Sequence, residues 1–150
     1  QSDAIIEVPK TRVKFDYVWY NGSANLIKPI SFDLEDESSI NHKAIFHYAQ
    51  LNFIAEKVNQ NNGKINFLVT KPSSQKPSLT RAYANAIDIL NDTKTEKEII
   101  DETNFDQYVE SVSKKIHAPD TRFPFKNLWE SNKISSRFGG LIPPSPPLIE

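Results

Sequence analysis

The sequence predicts an α+β fold. A small, mainly antiparallel sheet opens with an N-terminal hairpin, two to three helices pack on one face, and an extended Pro-rich C-terminal arm follows. Three observations lead there. From Arg12 to Tyr20, Val13, Phe15, Tyr17 and Trp19 alternate with their neighbours and run into Asn21-Gly22. That is the period-two pattern of a strand followed by a tight-turn dipeptide. From Ile40 to Val58, apolar residues recur at helical spacing. After Ala118 come six of the chain's ten prolines, which argue against further regular core elements.

In chain order, Ala4 to Val8 reads as a short apolar strand that Pro9 confines to an edge or an end. Arg12 to Tyr20 and Leu26 to Leu34 form the hairpin around Asn21-Gly22, with Pro29 marking an edge or a bulge. Ser38 or Ser39 caps the next helix, and Asp33, Glu35, Asp36 and Glu37 place negative charge near its positive end. Its stripe is Ile40, Ala44, Tyr48, Leu51, Ala55 and Val58; Phe46 and Phe53 widen it, as for a helix packed broadly against the sheet. Asn59 to Gly63 ends the helix, with Gly63 suited to a left-handed cap.

Lys64 to Thr70 returns as a strand through Ile65, Phe67 and Val69, and Lys71 to Ser78 is an exposed loop containing Pro72 and Pro77. Leu79 to Leu90 forms a second helix. A third spans Phe105 to Ile116, with Asn104 and Gln107 spaced like a capping box. Between them, Ile99 and Ile100 fit either a helical turn or a short strand. The expected organisation is one compact domain over residues 1–118 and an arm over 119–150.

Composition narrows the function classes. The chain has 150 residues, enough for one core, and its 38% hydrophobic content supports a folded domain. No cysteine is present, which excludes disulfides, a thiolate nucleophile and a Cys-ligated metal. No apolar run approaches the roughly 18 residues of a membrane span, so a soluble chain is expected. The sequence starts at Gln1 and contains no methionine, so we expect a processed chain, periplasmic or secreted, with an organelle after transit-peptide removal as the alternative. A net charge of −1 argues against a general nucleic-acid binder.

Catalytic signatures are sparse. His42 and His47 lie five residues apart, a spacing that rotates them away from each other on a helix. Neither a metal centre nor a cofactor is expected. The four glycines form no phosphate loop, and no G-x-S-x-G or S-x-x-K arrangement occurs. The acidic group near Asp33 reads as a solvated helix entrance. The enzymatic alternative is a small hydrolase or lyase that brings together His47, His117 and that acidic group.

Charge is unevenly spread. Asp88 to Glu110 holds eight acidic residues against Lys94 and Lys97, whereas the stretch from Lys114 to Arg137 is basic and interleaved with aromatics. The terminal Leu141-Ile142-Pro143-Pro144-Ser145-Pro146-Pro147 favours an extended, low-entropy conformation suited to docking. The leading expectation is therefore a non-enzymatic protein-binding or assembly module that docks a protein partner, or a second copy of itself, through its arm. The expected contact residues are Arg122, Phe123, Phe125, Lys126, Trp129, Arg137, Phe138, Leu141, Pro143, Pro144, Pro146 and Pro147. Peripheral contact with an anionic membrane is a further reading of the basic–aromatic stretch.

Overall fold

The computed structural model describes residues 4–116. Its elements are β1 (Ala4–Val8), β2 (Thr11–Phe15), β3 (Tyr17–Tyr20), β4 (Ala24–Ser31), α1 (Glu37–Phe53), α2 (Ala55–Gln60), β5 (Gly63–Thr70), α3 (Pro77–Asn91), β6 (Glu96–Ile100) and α4 (Phe105–Ile116). The expected boundary at residue 118 and the arm 119–150 lie outside the described residues. No helix among the described residues is long and apolar enough to cross a membrane.

The strands form a two-stranded sheet, β1–β2, and a four-stranded sheet of order β3-β4-β5-β6. In the first, Val8 pairs with Thr11 across Pro9-Lys10. The alternating run from Arg12 to Tyr20 is divided at Asp16 rather than continuous. Val13 and Phe15 enter one core, whereas Tyr17 and Trp19 enter another. An unbroken strand would send all four to the same face. The break at Asp16 lets one run of alternating residues serve both cores.

The expected hairpin closes as β3–β4, with Tyr20 opposite Ala24 and Gly22 at φ 94° in the intervening turn. Only a residue without a Cβ takes that backbone angle at little cost. Beyond β4 the pairing differs from the expected antiparallel pattern: β5 runs parallel to β4, and β6 parallel to β5. Each of those strands is reached through a helix, which carries the chain back to the starting end of the sheet. The α+β content and the N-terminal hairpin stand, and the larger sheet is mixed.

Two cores flank this sheet. On one face Leu26, Ile30, Ile65, Phe67 and Val69 pack against Ile40, Ala44 and Leu51 of α1 and Leu79, Ala86 and Leu90 of α3. On the other, Ile27, Leu68 and Ile100 meet Phe105, Tyr108, Val109 and Val112 of α4. The helices are thus not confined to one face. β5 is buried on both sides, as central strands of helix-connected sheets are, and its second face needs a cover that α4's apolar stripe supplies.

Local chemistry also departs from expectation in three places. Asp36, not Ser38 or Ser39, caps α1, its Oδ1 accepting the Ser39 N–H at 2.7 Å. The Asn104 side chain accepts the Asp101 N–H at 2.8 Å instead of building a capping box. Ile54 interrupts the long helix, and the left-handed residue at its end is Asn62, at φ 55°.

Gly63 instead opens β5 in close approach to α2. A Cβ there would stand 2.8 Å from Val58 Cγ1 and 3.1 Å from the Val58 carbonyl oxygen. Gly63→Ala is accordingly expected to destabilise the fold by about 1–3 kcal/mol, read as a lower urea midpoint with an unchanged slope.

Candidate functional site

Two surfaces stand out, one on each side of the sheet. The first is the outer face of α1. Phe46 lies six residues after the buried Ile40, and at about 100° per residue that places it well round the helix. Phe46 and Phe53 do not pack against the sheet as expected: they are 58% and 49% exposed, and Ile45 is 46% exposed. The result is a helix with apolar side chains on its outer as well as its inner side. Lys10 Nζ, from the β1–β2 turn, sits 5.7 Å from the Phe53 ring centroid, within cation–π range.

His47 lies beside this row. Its ring meets Phe46 edge to face at a centroid distance of 5.2 Å. The residue is partly exposed, but its Nδ1 is buried and has no hydrogen-bond partner among the described residues. Burial pushes its pKa down to about 3, and the positive charges of Lys28 and Lys43 push the same way. Burial also lowers Lys28, against the opposing pull of Asp16, and Lys28 Nζ stands 5.5 Å from the Phe15 ring centroid.

The residues of the enzymatic alternative do not meet among the described residues. Asp33 Oδ1 accepts the Ser73 N–H at 2.9 Å and the Ser73 hydroxyl at 2.7 Å, tying the end of β4 to the loop after β5. Asp36 is engaged at the α1 cap, where the Ser39 N–H holds its carboxyl below the usual range. No carboxylate contributes to the His47 shift. Among the described residues no group of three or more His, Asp or Glu is placed to hold a metal ion. His117 lies outside the described residues, as do Arg122, Phe123, Phe125, Lys126, Trp129, Arg137, Phe138, Leu141, Pro143, Pro144, Pro146 and Pro147.

The second surface is a cleft of about 350 Å³ between α4 and the starts of β4 and β5. Its base holds two buried amides, Asn25 and Asn66, 3% and 1% exposed. Asn66 Nδ2 donates to Asn25 Oδ1 at 3.3 Å, and Asn25 Nδ2 donates to Asn21 Oδ1 at 3.0 Å and to the Ser23 carbonyl at 3.2 Å. Among the described residues Asn66 Oδ1 has no partner. Lys64 and Glu98 pair at 3.1 Å on one wall. On the other, Trp19 Nε1 donates to the Tyr108 hydroxyl at 3.1 Å. Burial raises the Tyr108 pKa well above the usual phenol range, with the Trp19 N–H acting in the opposite direction.

Sequence reasoning missed this cleft. Its one local signal was an asparagine directly before an apolar pair in each of two strand runs, Asn25 before Leu26-Ile27 and Asn66 before Phe67-Leu68. That Asn25 and Asn66 stack on the same face follows only from the parallel register, in which Asn25 pairs with Lys64 and Ile27 with Asn66. No family model, curated protein or solved structure matches this chain.

Proposed function

We propose that this chain is a protein-binding or assembly module. It docks a protein partner through the outer face of α1, with the basic–aromatic–proline stretch from residue 119 as a second contact. The observation that supports this most is the row of Ile45, Phe46 and Phe53, each about half exposed on one helix. An exposed aromatic costs free energy in water, and aromatic anchors dominate the energetics of protein interfaces. Lys10 beside Phe53 and Lys43 one turn before Phe46 give the patch a basic rim. The complementary partner carries an apolar groove edged with carboxylates.

The double variant Phe46→Ser with Phe53→Ser tests this reading. Both side chains are exposed, so the far-UV spectrum and melting temperature should stay near the parent's. A partner co-purified with the intact chain should be recovered at least tenfold less with the variant, and truncation after Ala118 should weaken recovery further. Undiminished recovery with both changes would remove α1 and the arm as docking elements.

A further inference from the structure

We propose that the cleft beneath α4 binds a neutral polyhydroxylated ligand, a pyranose ring or short saccharide, with Asn66 Oδ1 as the hydrogen-bond acceptor at its floor. This site lies on the face of the sheet opposite α1 and is separate from the docking reading.

The direction of the amide relay carries the argument. The Ser23 carbonyl can only accept, so the Asn25 carboxamide must turn its N–H₂ toward it and its oxygen toward Asn66. Asn66 then spends an N–H on Asn25, and its oxygen is left, on a residue that lines the cleft, as a buried acceptor without a partner among the described residues. Such a group costs about 1–3 kcal/mol when unsatisfied. A ligand that donates there recovers that cost, so the floor selects hydroxyl or N–H donors.

Charge selects further. Lys64 and Glu98 cancel each other at 3.1 Å. An anion would meet the Asn66 oxygen, and the paired Lys64 and Glu98 offer no net charge to a cation, so a neutral donor fits best. Gln107 and Ser111 line the open wall of α4 and are exposed. Each both donates and accepts, as adjacent sugar hydroxyls require. Trp19 and Tyr108, 6% and 7% exposed, present apolar edges to the C–H face of a ring, over the buried Ile100 and Val112. A volume of about 350 Å³ sits at the small end of ligand sites, matching one or two sugar rings.

The chain contains two tryptophans, Trp19 and Trp129. In the full chain carrying Trp129→Phe, Trp19 is the sole indole reporter. Its fluorescence is titrated with glucose, galactose, mannose, N-acetylglucosamine, maltose and cellobiose, and in parallel with inorganic phosphate and choline. At least one neutral sugar should give a saturable change with a Kd of about 1 mM or tighter. Gln107→Ala with Ser111→Ala, both at exposed positions, should weaken that Kd at least tenfold without altering the melting temperature. Asn66→Leu should abolish the change while far-UV dichroism reports a folded chain. Saturation by phosphate or choline alone, no saturable response to any neutral sugar, or a Kd unmoved by the Gln107/Ser111 pair would each overturn the proposal.

Discussion

Phe67→Ala is expected to destabilise the domain by about 3–5 kcal/mol. Phe67 is fully buried in β5. Its backbone lies between Lys28 of β4 and Ile99 of β6, so no edge can relax into the space its ring vacates. Domains of this size are held by only about 5–15 kcal/mol in total. The substitution should therefore remove a large share of the stability and leave the variant partly unfolded in mild denaturant. Ile99→Ala is the control: Ile99 is only partly buried, on the last strand of the sheet. Urea unfolding of both should show a much larger midpoint shift for Phe67→Ala, with similar slopes. Comparable shifts would mean that β5 is not an interior strand of the sheet.

The second large effect is acid sensitivity centred on His47. Its pKa falls from an ordinary 6.5 to about 3 in the folded chain, because burial and the nearby Lys28 and Lys43 all disfavour the imidazolium. The unfolded chain therefore binds a proton below pH 6.5 that the folded chain refuses. Stability from this group is fully present above pH 6.5 and is lost as pH falls from 6.5 toward 3. At pH 5 the loss is on the order of 2 kcal/mol. An NMR titration should find the His47 ring neutral at pH 5. His47→Leu should flatten the stability profile between pH 7 and pH 5 relative to the parent. A ring that titrates near 6.5, or an unaltered profile in the variant, would show that the imidazole is hydrated rather than enclosed.

The same residues show what sequence reading reaches and where it stops. Local elements were legible because their signals are local: Asn21-Gly22 marks a turn, and α4 runs from Phe105 to Ile116 as its stripe implies. Strand direction was not, since it depends on where α1 and α3 return the chain and not on alternation within a strand. Asp16 carries no breaker signal of the Gly or Pro kind, so the change of face between Phe15 and Tyr17 is visible only once two cores exist. Phe46 and Phe53 read as core because they are aromatic, although their angular position already pointed outward. The cleft needed β4 and β5 in parallel register before its amides met, and no spacing in the chain foretells that. Asn66 resembled any outward-facing strand residue until Asn25 was placed beside it.

Docking through α1 is tested most directly by cross-linking from single positions. A photoreactive side chain replaces Phe46 in one chain and Ala84, exposed on α3, in another, and each is irradiated in its native source extract. The docking account predicts one discrete adduct from position 46, absent from position 84 and suppressed by Lys10→Glu, which reverses charge beside Phe53. Adducts of equal yield from both positions, or from position 84 alone, would contradict it.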